Sequence, residues 1–277
     1  MILKYEEFCD LITNFIDEGQ NFYFNLLKKM IDKPSRFLGS FRLTTLNEKI
    51  VQNISQSREI KFGSFIESIV SKYIEKSGGK ILKQNIGKNE KQENFLVDNL
   101  FMFKEQLFLV EMKIRDDHDS SKKRGQYLNF KSKVELITKK YVDEKINAIM
   151  WFVDPSLIKN KKYYLSKISD EKTPNCAFYL FYGKDFFVQI FNNEEPWNEL
   201  VSYIEKYKNE AHTKNIKIID FDNSKEIYEA MIQLPDKYWN KLISNDEQYV
   251  TLRKSLFKNE DLFNKIQIMR NQTKNGG

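Results

Sequence analysis

Residues 94–126, NFLVDNLFMFKEQLFLVEMKIRDDHDSSKKRGQ, decide how the rest of this chain is read. An apolar run from Phe95 to Phe103 is interrupted by one carboxylate, Asp98. A short polar break (Lys104, Glu105, Gln106) precedes a second run, Leu107 to Ile114, interrupted by Glu111 and Lys113. Two β-prone runs around such a break predict a hairpin. Side chains alternate along a strand, so Glu111 and Lys113 share one face and Met112 takes the other. With an even-length turn, for example Glu105 and Gln106 at the tip, Asp98 falls on that same face beside Lys113. An odd-length turn puts Asp98 on the wrong side unless a bulge corrects the register.

Two carboxylates and a lysine on one face of an apolar hairpin are costly to bury without a ligand. A divalent cation relieves the cost, because carboxylates are hard oxygen donors suited to magnesium or manganese. The alternative is a solvated face on which Glu111 and Lys113 form an ordinary surface pair. The run that follows, Arg115 to Gln126, bears on that choice. It is too polar for core and holds two of the chain's seven arginines, and arginine gives bidentate hydrogen bonds to phosphate or guanine edges. Read functionally, it is a loop carrying Lys122, Lys123 and Arg124 along backbone phosphates; read blandly, it is a flexible charged loop.

Asp98 followed by Glu111-Met112-Lys113 on the next strand resembles the PD-(D/E)XK nuclease motif, and the polar run after it resembles that of type II restriction endonucleases. Val97 stands where the family often has a proline. The resemblance implies an α/β fold, a restriction-endonuclease-like mixed β-sheet flanked by helices, with the metal at the hairpin where the sheet splays. It also implies roles. Asp98 and Glu111 would hold Mg²⁺ (Mn²⁺ substituting), helped by the backbone carbonyl of Met112, while Lys113 would orient the attacking water. Arg115, Lys122, Lys123, Arg124 and Gln126 would contact DNA. Gln126 opens the next helix, where related enzymes often have a catalytic or orienting residue.

The 277 residues carry a formal charge of +6, with acidic residues nearly as numerous as basic ones. Overall charge is therefore weak support for nucleic acid, and clustering matters more. Cys9 and Cys176 stand far apart, which argues against zinc and structural disulfides and for a reducing, cytoplasmic setting. The N-terminus, MILKYEEFCDLI, is unlike a signal peptide. Two histidines, His118 and His212, leave little room for histidine chemistry. Ser77-Gly78-Gly79-Lys80 lacks the first glycine of a phosphate-binding loop and reads as a helix stop.

Along the chain, apolar spacing predicts two N-terminal helices broken near Glu18-Gly19 and ended by Lys33-Pro34. A loop follows to Thr45. A strong helix over 61–76 has Ser64 as a cap with Glu67 three residues on. Glu67 thus reads either as a capping-box partner or, by the family resemblance, as a glutamate facing the metal. A short strand, 80–82, precedes the hairpin. A helix over 127–145 leads into a buried strand, 146–153, a crossover that makes the strands parallel. The stretch 155–172 interleaves lysines with Tyr163 and Tyr164, fitting either base stacking or an exposed linker. Strands at 177–182 and 186–191 around Gly183-Lys184-Asp185 read as a second hairpin, and Trp197 as a core residue. The tail alternates helices with a short strand, 216–221.

The expected organisation is a helical N-terminal region (1–57) packed on a nuclease core (58–198), then a mainly helical C-terminal region (199–277) for dimerisation or recognition, in one compact unit. The expected protein is a magnesium-dependent type II restriction endonuclease cutting double-stranded DNA to 5′-phosphate ends. It would act as a homodimer beside a companion DNA methyltransferase. A structure-specific repair or junction-resolving nuclease, or a non-catalytic DNA-binding protein, are the other readings.

Overall fold

The computed structural model describes residues 1–16, 21–39, 41, 43–88, 92–114, 120–211 and 219–275. The chain divides into two compact units: Met1–Phe15 with Phe62–His212, and Ile16–Lys61 with Thr213–Gly277. The stretch 1–57, expected as one region, is thus shared between them. So is the tail: Glu199–Ala211 belongs with the first unit.

The N-terminal helices are α1 (Tyr5–Ile16), α2 (Phe22–Asp32), the single turn α3 (Ser35–Leu38) and α4 (Leu46–Lys76). Because α4 is continuous for 31 residues, Ser64 lies inside it and caps nothing. The reciprocal capping box sits earlier, where Glu48 Oε2 accepts from the Thr45 amide at 2.7 Å and Thr45 Oγ1 accepts from the Glu48 amide at 3.3 Å. Gly78, with φ of 92°, stops the helix as expected.

The strands are β1 (Lys80–Ile81), β2 (Asn85–Lys88), β3 (Asn94–Leu96), β4 (Asn99–Phe103) and β5 (Gln106–Lys113), followed by helix α5 (Ser120–Lys140) and β6 (Ile146–Phe152). Helix α6 (Lys161–Ser169), β7 (Cys176–Tyr182), α7 (Asp185–Phe191) and α8 (Glu195–Ala211) complete the first unit. Its main sheet runs β1-β4-β5-β6-β7; β1, β4 and β5 are antiparallel neighbours, and β5, β6 and β7 run parallel. β2 and β3 form a separate antiparallel pair. The mixed sheet flanked by helices is the α/β architecture expected.

Two crossovers, through α5 and α6, account for the parallel strands, and β6, buried at every position, lies inside the sheet between β5 and β7. One sheet face (Leu107, Leu109, Ile146, Ala148, Met150, Phe152) packs on Tyr127, Phe130, Val134 and Ile137 of α5 and on Tyr164. On the other face, Trp151 stacks on Phe186 at 4.4 Å and meets Phe187 edge-on. That packing explains a correction: 186–191 is a helix, not a hairpin strand. Phe-Phe-Val-Gln-Ile-Phe fits either period, and the helix brings both Phe186 and Phe187 onto the indole. Residues 161–169 are likewise a helix with Tyr164 fully buried, so that tyrosine is core and no stacking platform for bases. Trp197 is half-buried, 6.4 Å from Trp151.

The second unit packs α2, α3 and the first part of α4 with α9 (Lys225–Ile232), α10 (Asp236–Ile243), α11 (Glu247–Leu256) and α12 (Asp261–Asn275) around Leu27, Met30, Ile54, Met231, Trp239, Leu252 and Ile266. Residues 219–221 form no strand, and the rest of the expected strand, 216–218, lies outside the described residues. Among the described residues no helix is long and apolar enough to cross a membrane.

Candidate active site

The β4–β5 hairpin turns through two residues, Lys104 and Glu105, with Phe103 opposite Gln106 and Asn99 opposite Val110. Both tip residues have positive φ, 47° and 58°, the left-handed pair of a type I′ turn that matches strand twist. The turn is even in length, as the shared-face reading required, but its tip lies one residue earlier than the Glu105-Gln106 example. Continuing the register, Asp98 therefore falls opposite Glu111 rather than Lys113. Asp98 sits where the chain leaves β3 and enters β4, so it stands between the two sheets at the point where they part.

Asp98 Oδ2 accepts a 2.6 Å hydrogen bond from the Met112 amide, which fixes its carboxylate against β5. Behind it, Asn99 is fully buried; its Oδ1 accepts from Ser71 Oγ at 2.6 Å and its Nδ2 points to Met112 Sδ. Glu111 is only 6 % exposed, which rules out the solvated surface pair. Its Oε1 accepts from Lys113 Nζ at 2.9 Å and its Oε2 from Lys133 Nζ at 2.6 Å. Lys133, on α5, is itself buried.

The two carboxyls are driven apart in acidity. Burial, then the charge of Glu111, lifts Asp98 from 3.8 to about 6, against the pull of Lys113, the Met112 amide and Lys133. Burial works on Glu111 too, but Lys113 and Lys133 outweigh it and hold that carboxyl below its ordinary value. Glu67 on α4 belongs to the same electrostatic cluster: burial, Asp98 and Glu111 raise it to about 7. The capping reading of Glu67 is overturned, and its environment is that of the hairpin carboxylates. Neighbouring titrating groups with separated pKa values are a mark of acid–base sites.

Among the described residues no three His, Cys, Asp or Glu side chains form a self-sufficient metal cage. Magnesium does not need one: it keeps several waters and takes one or two carboxylates together with substrate phosphates. Two hard carboxylates side by side at a sheet opening fit that demand. The backbone oxygen expected beside them is that of Met112. The Lys113 carbonyl accepts from the Val153 amide, and so faces β6; neighbouring carbonyls alternate in direction, which turns that of Met112 back toward Asp98.

The basic segment is partly helical, not the loop expected. Lys122, Lys123 and Arg124 ride the first turns of α5, with Lys122 and Arg124 exposed and Lys123 Nζ 5.0 Å from the Tyr163 ring centroid. Arg115 lies outside the described residues. Gln126 is inside α5 rather than opening it, and its Oε1 accepts from Tyr164 Oη at 2.8 Å. Lys133 is the residue that sequence reasoning missed. It stands between Phe130 and Ile137 on the apolar stripe of α5, and a charge in that stripe was the available signal.

No curated protein sequence matches the chain. A family model does, the one described as type II restriction endonuclease, HinfI, over residues 4–92 and 80–208. These stretches span most of the 277 residues and take in Glu67, Asp98, Glu111, Lys113 and Lys133. With that match beside the sheet and its hairpin, the chain belongs to the HinfI family of type II restriction endonucleases, site-specific nucleases that bind DNA.

Proposed function

We propose that this restriction endonuclease hydrolyses double-stranded DNA in a magnesium-dependent reaction centred on Asp98, Glu111 and Lys113. The observation that carries the reading is Asp98, bonded by the Met112 amide and electrostatically coupled to Glu111, with Lys113 2.9 Å from Glu111. Asp98, Glu111 and the Met112 carbonyl would hold Mg²⁺, and Mn²⁺ would substitute. A bound divalent cation supplies Lewis-acid polarisation of the scissile phosphate and a lowered pKa for an attacking water.

The protein groups divide the remaining work. Glu111, kept ionised by two ammonium groups, retains its negative charge at neutral pH. Asp98 is oriented by the Met112 amide. Lys113 aligns the water and offsets charge that builds on the phosphate. Glu67, raised to about 7, titrates where a base that takes the water's proton is most effective. In-line attack and departure of the 3′ oxygen leave a 5′ phosphate. The exposed Lys122 and Arg124, with Lys123 and Arg115, contact backbone phosphates, and Gln126 orients the site through its bond to Tyr164. Cutting both strands of a symmetric site calls for two such centres, hence a homodimer. A companion methyltransferase would protect host DNA at the same sequence without touching this chain.

Digestion of a mapped DNA with magnesium, followed by sequencing of the ends, tests this. Discrete fragments with 5′ phosphates are expected. Asp98→Ala, Glu111→Ala and Lys113→Ala should each abolish cutting while specific binding in chelator persists; cutting retained by all three would overturn the assignment.

A further inference from the structure

The proposed chemistry uses one lysine beside Glu111, yet the structure holds two. Lys113 already neutralises that carboxylate from two positions along β5. Lys133 reaches the other oxygen from a helix, at 2.6 Å, with its ammonium 6.0 Å from the Phe95 ring centroid. It stands in the helix stripe between Phe130 and Ile137, which pack in the apolar core, where burying an ammonium carries a desolvation cost. A lysine at this position is expensive as structure.

The charges suggest what it does. Glu67, Asp98 and Glu111 bring three carboxyls together, and Lys113 and Lys133 bring two ammonium groups. Both oxygens of Glu111 are engaged, one by each lysine. A cation arriving at Glu111 must share or displace an ammonium that is buried and tightly bonded.

Resting on the proposed magnesium site, we propose that Lys133 is a positioning residue that stands in for the metal on Glu111 and makes metal loading conditional on DNA. Without DNA, the tethered ammonium holds Oε2 and weakens cation binding. With DNA, a phosphate supplies both a new acceptor for an ammonium and further oxygen ligands for the cation. Loading is then favoured where the substrate lies, which guards against cutting by a fully charged enzyme at the wrong place.

The test is titration of the full-length protein with Mn²⁺, followed by its paramagnetic signal, with and without an uncleavable cognate duplex. Lys133→Met should bind Mn²⁺ without DNA more tightly than wild type, by roughly tenfold or more, since a competing unit charge is gone. The gain in Mn²⁺ affinity on adding DNA should shrink accordingly, while Lys133→Arg stays near wild type on both counts. A merely structural lysine predicts the opposite, because a loosened site binds cations less well. Equal or weaker Mn²⁺ binding by a folded Lys133→Met overturns the proposal; if that variant does not fold, the same comparison with Lys133→Gln decides it. The magnesium site itself is judged separately: Asp98→Ala and Glu111→Ala must lose Mn²⁺ binding whatever Lys133 does.

Discussion

Replacing the two hairpin carboxylates by their amides should change stability in opposite directions, although both changes should abolish cutting. Glu111 is buried against two lysines whose side chains are 15 % and 8 % exposed. Removing one partner of a buried ion pair costs about 3–5 kcal/mol, because the other charge is stranded. Asp98, freed from the repulsion of Glu111, takes over part of the compensation, so Glu111→Gln should lose about 2–3 kcal/mol. Asp98→Asn should gain stability. The rise of Asp98 from 3.8 to about 6, at ~1.4 kcal/mol per unit, bounds the cost of ionising it at about 3 kcal/mol. Part of that cost is shared with Glu111, which leaves about 1–2 kcal/mol for the amide to recover.

The pH dependence follows from the same shifts. A folded-state pKa above the unfolded one means the folded chain holds its proton more tightly. Asp98 therefore erodes stability as pH rises between 3.8 and about 6, and Asp98→Asn should outlast wild type above that window but not below it. Glu111 is depressed, so its contribution is present above 4.5 and fades as pH falls. Urea melts in chelator, read by circular dichroism across this range, make the comparison. The electrostatic account fails if Asp98→Asn is the less stable protein above the window, or if Glu111→Gln matches wild type.

Glu67→Gln should slow cleavage by about 10²-fold and flatten the rise in rate through neutral pH that a base titrating near 7 produces; an unchanged pH profile would remove Glu67 from the chemistry. At the hairpin tip, Lys104→Asn with Glu105→Gly should stabilise the fold by roughly 1 kcal/mol, since both positions have left-handed backbone, leaving cleavage intact. Gly79→Ala should cost about 1–3 kcal/mol in a denaturant melt, because a Cβ there would come within 2.5 Å of Ile74 Cγ2 and 3.1 Å of its carbonyl oxygen.

The hairpin was legible because alternation is local. Two apolar runs, a polar break and an even turn fix which side chains share a face, whatever the tip residues are. The tip itself was hidden, since neither Lys104 nor Glu105 is a residue that favours positive φ. The family motif was legible for the same reason as the hairpin: its three residues lie within one supersecondary unit. Helix α4 is longer than its apolar period alone predicts. Its Thr45-Leu46-Asn47-Glu48 capping box stood in the sequence, but the polar stretch after it masked the apolar period. Residues 186–191 fit two periods, and only their packing on Trp151, from a different element of the sheet, decides between them.

Lys133 was beyond local rules altogether, because its partner lies 22 residues away and a lysine among apolar residues reads as solvated until that partner is seen. Once seen, it changes what the site means. Burial first, and then the charges of neighbouring carboxylates, raise Asp98 and Glu67, and the ammonium groups of half-buried Lys113 and buried Lys133 offset only part of that cost. Such an arrangement is locally frustrated, and natural sequences keep frustration where function needs it. A pair of lysines that merely stabilised the hairpin would sit better on a hairpin with no excess of carboxylates. Surplus negative charge is what a cation-binding site would carry before its cation arrives, and on the proposal above the second lysine holds Glu111 until then.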